Sequence, residues 1–176
     1  GYIEACTREW VIADVLRLSE KDMNEKKSMN THLHILEAYT NLLRVWSNQK
    51  LRASLIELIE VIIEYIINVN HHFDLFFDET WNCKSEIISY GHDIEGSWLL
   101  CESAEVLGTE KMSREVNQIA VKMAEDTLAE AVDHKTGGIF YEGSGKQILN
   151  YDKHWWPQAE AVVEFLNAYQ ITNNSK

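Results

Sequence analysis

A histidine and a glutamate stand three positions apart in the segment SYGHDIEGSW, residues 89–98. Residues three apart share one face of a helix, so a helix that starts here places His92 beside Glu95. Free backbone N–H groups and the positive dipole end of a first turn lower the basicity of a histidine. A neutral imidazole can accept a proton at physiological pH, so His92 is a candidate general base, with Glu95 as its orienting group or as an acceptor for a substrate hydroxyl. The alternative is that these polar residues only cap the helix start.

A second polar group lies in the segment MNTHLHILEAY. Asn30, His34 and Glu37 fall on one helical stripe at i, i+4 and i+7, whereas His32 is turned away. This stripe indicates either the polar wall of a pocket or a solvated surface. The H-x-H spacing points two imidazoles apart on a helix, so the pattern disfavours a metal site.

Aromatic residues and a carboxylate stand together in the segment KHWWPQAEA, where Trp155 and Trp156 precede a proline and Glu160 follows one turn later. Exposed indole faces stack on the C–H faces of sugar rings, and a nearby carboxylate can bind hydroxyl groups. Aromatic pairs also commonly fill a core, so this segment alone leaves both interpretations open. His71 and His72, in HHFDLFFDETW, are expected to be solvated loop residues without a role.

Helices must position these groups, because apolar residues recur at i, i+3, i+4 and i+7 over long segments that contain one proline. Five helices are predicted, over about 28–46, 50–69, 92–106, 111–132, and from 156 or 157 to 169. The short SNQK turn makes the first two an antiparallel hairpin. The connections between hairpins are longer, and FDLFFDETW is predicted to form a short strand or hairpin. If the helix starts after these connections share one side of the molecule, the functional residues gather there.

Composition narrows the classes of partner. The chain has 16 Lys and Arg residues against 28 Asp and Glu residues, a net charge of −12, and this field repels nucleic acids and anionic membranes. The apolar run LIELIEVIIEYII is interrupted by glutamates at helical spacing, so it predicts an amphipathic helix and not a membrane span. Three cysteines without C-x-x-C spacing indicate neither a disulfide framework nor a zinc site, and they favour a cytoplasmic setting.

Four segments together resemble the N-acylglucosamine 2-epimerase family, and within it the cellobiose (mannobiose) 2-epimerase branch. They are MNTHLHILEAYTNLLRVW, SYGHDIEGSWLLCESAEVLG, GGIFYEG and KHWWPQAEAVVEFLNAYQ, and they occur in the family's order. The resemblance implies an (α/α)6 barrel that interconverts glucose and mannose at the reducing end of β-1,4-linked disaccharides. It also implies that the chemistry uses no metal and no nucleotide cofactor.

The resemblance assigns roles to single residues. His92 matches one of two histidines that remove and return the proton on C2 through a cis-enediolate, and Glu95 matches its carboxylate partner. Asn30 and His34 match a pair that contacts the sugar and assists ring opening, with His32 as the other candidate for the second position.

The remaining assignments concern substrate binding. By resemblance, Trp155 and Trp156 match tryptophans that stack on the disaccharide, and Glu160 matches a carboxylate near its non-reducing unit. The second acid/base histidine of the family and an early arginine have no counterpart in this sequence.

The sequence therefore predicts an all-α single domain, residues 1–176, of antiparallel helical hairpins with short β-hairpins in the long loops. By resemblance it forms about half of an (α/α)6 toroid. Half a toroid leaves apolar faces uncovered, so self-association or pairing with the other barrel half is expected, with little or no epimerase activity alone. Two alternatives are a non-catalytic carbohydrate-binding or assembly module and a glycoside hydrolase. The second would need two acids across the cleft.

Overall fold

The structure is a computed structural model that describes residues 1–20 and 22–173, so positions 21 and 174–176 of the predicted domain lie outside it. All five predicted helices are confirmed, and each starts within two residues of its predicted position. They are α1 (Met29–Val45), α2 (Gln49–Val61), α3 (Tyr90–Leu107), α4 (Glu110–Glu130) and α5 (Trp155–Thr172). The second helix ends earlier than predicted, because α2 passes into a π-helical turn, Ile62–Ile66.

The helices form two layers. Helices α1, α3 and α5 pack side by side, while α2 lies against α1 and α3, and α4 lies against α3 and α5. The core between the layers consists of aliphatic side chains that leave almost no surface exposed, among them Leu33, Leu36, Leu55, Ile59 and Leu100. Their burial at helical spacing explains why apolar periodicity predicts these elements correctly.

Two small antiparallel sheets hold the helix starts. Strand β1 (Lys27–Ser28) leads directly into α1 and pairs with β2 (Phe76–Phe77), which lies in the predicted FDLFFDETW strand. Strand β3 (Ile88–Ser89) leads directly into α3 and pairs with β4 (Glu142–Ser144), which in turn pairs with β5 (Gln147–Asn150). The first sheet therefore connects the start of α1, and the second the start of α3, to a loop from elsewhere in the chain.

The paired histidines after the π-helical turn have different surroundings. His71 is partly exposed and its Nδ1 lies 2.8 Å from Asp126 Oδ2. His72 is only 2% exposed, so the prediction that both are solvated loop residues is wrong for His72. The reason is that Asp93 of α3 supplies a buried partner 2.8 Å from its Nδ1, which the loop sequence does not reveal.

None of the helices in the described part of the chain combines the length and the apolar character that a membrane crossing needs. The run LIELIEVIIEYII forms the second half of α2 and the π-helical turn, with Leu58, Ile59, Ile62 and Ile66 buried. This segment is therefore amphipathic, as the glutamate spacing predicts.

Candidate active site

A cavity of about 610 Å³ opens where α1, α3 and α5 begin, and we call these three the inner helices. Asn30 contributes from the start of α1, Ser89 and His92 from the start of α3, and His154 from the position before α5. The N-terminal segment closes one side, with Asp22 among its lining residues. The starts of α1, α3 and α5 thus meet on one side of the molecule, which is the condition under which functional residues are expected to gather. A cavity of this size fits a small organic ligand.

His92 lies at the edge of this cavity in the first turn of α3. Its Nδ1 is 2.7 Å from Ser89 Oγ, and its ring centroid lies 5.1 Å from that of Trp156. Burial, reinforced by the charge of His34 and opposed by Asp22, lowers the pKa of His92 from 6.5 to about 4. The ring is therefore neutral at physiological pH and can accept a proton.

Glu95 stands one turn further along α3 and is partly buried. Burial, with the charge of Glu160 adding to it and that of His34 opposing it, raises the pKa of Glu95 to about 7. Glu160 of α5 accepts a hydrogen bond from Trp98 Nε1 at 2.8 Å. Two carboxyl groups from neighbouring helices thus interact, and Glu95 can exchange its proton near neutral pH, although neither group lines the 610 Å³ cavity.

The two candidate histidines of α1 point to different places. His32 is fully buried, where its Nε2 accepts the N–H of Tyr2 at 2.9 Å and its Nδ1 lies 2.6 Å from Ser28 O. His34 is about half exposed, with Nδ1 3.4 Å from Glu37 Oε2. The charge of His34 acts on both His92 and Glu95. His32 therefore belongs to the core, whereas His34 lies at the surface, does not line the 610 Å³ cavity, and stays the candidate of this pair through its charge.

The structure separates the two predicted tryptophans. Trp156 packs on the N-terminal turn of α3, where a Cβ added to Gly91 would lie 2.6 Å from its Cη2, and its ring also meets Tyr141 at 6.3 Å. Trp155 is 81% exposed. Trp156 therefore borders the site beside His92, while Trp155 presents its indole to solvent.

Sequence reasoning missed four residues of this region: Ser89, Trp98, Tyr141 and His154. Ser89 takes the orienting position at His92 Nδ1 that the sequence offered to Glu95. Trp98 follows Glu95 by three positions, so helical spacing alone could have placed it on the same face. Tyr141 contacts His154 with ring centroids 4.2 Å apart and ring planes tilted by 31°. Those two residues come together through a loop, and no local pattern indicates that contact.

No group of three or more His, Cys, Asp or Glu side chains arranged to hold a metal ion occurs among residues 1–20 and 22–173. The three cysteines are free thiols, and burial raises the pKa of the Cys101 thiol to about 12. The polar side chains that line the cavity include the imidazoles of His92 and His154, the carboxylate of Asp22 and the hydroxyl of Ser89.

A family model described as N-acylglucosamine 2-epimerase matches residues 5–176. The chain belongs to the N-acylglucosamine 2-epimerase family. Cellobiose 2-epimerase of Bacteroides fragilis is 47% identical over 172 residues, and the match covers 97% of this chain and 43% of that protein. Cellobiose 2-epimerase of Dictyoglomus turgidum is 39% identical, with coverage of 100% and 45%. The chain thus spans less than half the length of these family members.

Solved structures agree with the family assignment. A sugar epimerase from a ruminal bacterium superimposes with a TM-score of 0.91 at 33% identity, covering 99% of this chain and 44% of that one. Cellobiose 2-epimerase from Bacillus thermoamylovorans gives 0.87 at 36% identity, with coverage of 96% and 43%. The predicted fold, antiparallel helical hairpins that make up about half of an (α/α)6 toroid, is confirmed.

Proposed function

We propose that this chain carries part of the active site of a sugar 2-epimerase, acting at the reducing end of β-1,4-linked disaccharides such as cellobiose. The observation that supports this most directly is the placement of His92. A neutral imidazole at the edge of a cavity, beside Trp156 and one turn from Glu95, has the surroundings that proton abstraction from a sugar requires. Relatives named cellobiose 2-epimerase support the substrate class.

In the proposed reaction, the reducing-end ring opens and exposes an aldehyde at C1. His92 removes the proton from C2, which gives a cis-enediolate. Rotation about the C2–C3 bond presents the other face of C2, and return of a proton there completes the exchange of glucose for mannose. Abstraction next to a carbonyl needs a base of matched position and polar groups around the developing oxyanion.

The neighbouring polar groups have distinct proposed roles. Asn30 and His34, one turn apart on α1, contact the sugar hydroxyls and assist ring opening. Glu95, with a pKa raised to about 7 by burial and by Glu160, exchanges a proton with the substrate oxygens near neutral pH. The resemblance supports both assignments, and so does the charge of His34, which acts on the pKa of both His92 and Glu95.

Aromatic and carboxyl groups of α5 are proposed to bind the disaccharide. Trp156 offers an indole next to His92, and the exposed Trp155 offers a second one toward solvent. Glu160, fixed by the Trp98 N–H, accepts hydroxyls of the non-reducing sugar. Sugar rings present C–H faces and hydroxyl edges, which match this pairing of indole and carboxylate.

Isotope exchange tests the proposal directly. Cellobiose incubated in D₂O with the active protein that contains this chain should gain deuterium at C2 of the reducing unit, and His92→Ala should abolish the gain. His71→Ala is the matched control, because His71 lies in an exposed pair with Asp126, and it should exchange at the parental rate. Exchange that persists in His92→Ala contradicts the assignment of the base.

The chain by itself is proposed to turn over cellobiose slowly or not at all, because it spans less than half of the relatives it matches. The same fact supports the proposal that it pairs with further barrel helices or with a second copy. Robust epimerisation by the purified chain would contradict this. Binding of cellobiose without any exchange in the full protein would instead favour the non-catalytic binding module.

A further inference from the structure

A chain of ionisable side chains lies behind the first turn of α3; two of them, His72 and Asp93, are buried, and the third, Glu130, is 31% exposed. His72 Nδ1 is 2.8 Å from Asp93 Oδ2, and His72 Nε2 is 3.2 Å from Glu130 Oε2 at the end of α4. Asp93 is fully buried and accepts the N–H of Phe73 at 2.8 Å through its other oxygen. We call His72, Asp93 and Glu130 the buried triad. None of its members lines the cavity that His92 borders.

Burying these groups is costly unless they are paired. Burial alone lowers the pKa of His72, but the hydrogen bond and charge of Asp93, together with Glu130 and Asp126, outweigh it, so the pKa is raised. The pair therefore keeps a proton between Nδ1 and Oδ2. Removing one member leaves an uncompensated buried polar group, whereas apolar residues of similar volume would be cheaper. Because these groups are kept despite the energetic cost of burying them, we favour a role in fixing the position of α3.

The triad acts on the residue next to the candidate base. Asp93 follows His92 directly, so anchoring its carboxylate from behind fixes the backbone of the first turn of α3. Phe73 packs its ring against the same helix, where a Cβ on Gly96 would lie 2.2 Å from Phe73 Cε2. Side-chain and backbone contacts from one loop thus hold two successive turns of α3.

The same loop reaches the start of α1. Leu75 O accepts the N–H of Met29 at 2.9 Å, and Phe76 pairs with Ser28 in the β1–β2 sheet. The segment 72–76 is therefore anchored to α3 at one end and to α1 at the other. Its length sets the spacing between the helix start that carries Asn30 and the one that carries Asp93.

We propose that the buried triad His72–Asp93–Glu130 is a positioning device that sets the first turn of α3, and with it His92, against the start of α1. His72, Asp93 and Glu130 are positioning residues, since they act through the backbone and through the segment 72–76. The inference about placement is independent of the reaction, while its consequence for catalysis rests on the proposed function.

The test compares the titration of His92 in variants of this protein, followed by NMR of the imidazole signals and assigned with His92→Gln. Asp93→Asn keeps the size and the acceptor for the Phe73 N–H but loses the charge that holds His72. His72→Leu removes the donor altogether. We expect both variants to loosen the first turn and admit water. The pKa of His92 then rises toward its ordinary value, which means that its proton dissociation constant falls at least tenfold. In the active protein, kcat should fall with little change in KM.

Two controls separate positioning from general stability. His72→Gln retains an amide donor for Asp93 and should restore the parental titration of His92. His71→Leu removes the neighbouring exposed histidine, with its own aspartate partner, and should change neither readout. If the triad is purely structural, Asp93→Asn and His72→Leu lower the melting temperature while His92 in the folded protein titrates as in the parent. That result overturns the proposal. If His72→Leu does not fold, Asp93→Asn decides.

The outcomes also distinguish this proposal from the proposed function. A shifted His92 titration in a protein that does not exchange deuterium into cellobiose supports positioning and contradicts the epimerase assignment. An unchanged titration in a protein that does exchange deuterium contradicts positioning alone.

Discussion

Glu160 and Trp98 show how a single neighbour determines what a side chain can do. The indole N–H donates to Glu160 Oε2 at 2.8 Å and fixes the carboxylate on the side of α5 that faces Glu95. Burial raises the pKa of Glu95 to about 7, and the charge of Glu160 contributes to this rise. One hydrogen bond therefore acts on both carboxyl groups of the proposed site.

Trp98→Phe tests that bond. Phenylalanine keeps an aromatic ring but removes the N–H, and a hydrogen bond to a charged group contributes about 1.5–3 kcal/mol. We expect KM for cellobiose to rise roughly tenfold or more, because 1.4 kcal/mol corresponds to a factor of ten. Trp46→Phe, at the exposed C-terminal cap of α1, is the control. An unchanged KM in Trp98→Phe would show that the bond does not support binding.

At the scale of elements, two glycines of α3 let neighbouring segments pack closely against this helix. Gly91 makes room for Trp156 of α5, and Gly96 makes room for Phe73 of the loop after the π-helical turn. These contacts differ in kind, because Trp156 is partly exposed and lies beside His92, which lines the cavity, while Phe73 is buried in the core. Substitutions at the two glycines therefore have different expected effects.

Gly91→Ala places a Cβ 2.6 Å from Trp156 Cη2 and should displace the indole from His92. We expect isotope exchange to fall strongly with a moderate loss of melting temperature. Gly96→Ala places a Cβ 2.2 Å from Phe73 Cε2 inside the core, and such overpacking costs about 1–3 kcal/mol. Differential scanning calorimetry and exchange rates measured on both variants check the contrast. Equal loss of stability in the two would contradict it.

Glu164 lies fully buried in α5, with Asn167 Nδ2 donating to it at 3.0 Å. Burial, opposed by hydrogen bonds from Asn167 and Ser97, raises the pKa of Glu164 from 4.5 to about 8. The folded state thus binds this proton more tightly than the unfolded chain does. Its contribution to stability is complete below the unfolded pKa and is lost as pH rises through 8.

Glu164→Gln removes this dependence, because glutamine is neutral and nearly isosteric. We expect the melting temperature of the parent, relative to Glu164→Gln, to decline between about pH 5 and pH 9. The difference between the two proteins cancels the titration of every other group. Parallel stability curves over this range would show that Glu164 does not hold its proton.

At the scale of the whole molecule, one face of α5 is apolar and open. Trp155, Val162, Leu166 and Tyr169 recur at helical spacing along it, and they are 81%, 70%, 53% and 46% exposed. Contiguous apolar surface of this kind promotes association between molecules. The stripe contrasts with α3, whose neighbours α1, α4 and α5 cover it on several sides.

We expect the purified chain to associate through this stripe. Sedimentation velocity should show an average mass that rises with concentration, and the double change Val162→Glu and Leu166→Glu should shift the protein toward the monomer. Both positions are exposed, so the helix itself tolerates the new charges. A parent protein that sediments as a monomer at every concentration would contradict this expectation.

The sequence predicts the helices well because each buries an apolar stripe whose period is visible along the chain. Helical spacing also groups His92 with Glu95 on α3 and Asn30 with His34 on α1, because it relates residues within one element, while their roles are proposals. It fails where a contact joins distant segments. His72 is expected in solvent, since its partner Asp93 lies 21 positions away, and the Tyr141–His154 contact depends on a loop.

The partner of His92 Nδ1 is a hydroxyl and not a carboxylate. When Nδ1 bears hydrogen, it donates to Ser89 Oγ, and that contact persists unchanged while Nε2 gains or loses a proton. A carboxylate in the same place would stabilise the imidazolium and retain the captured hydrogen. A neutral hydroxyl stabilises the imidazolium less, so in the proposed reaction His92 can return its proton without reorienting the ring.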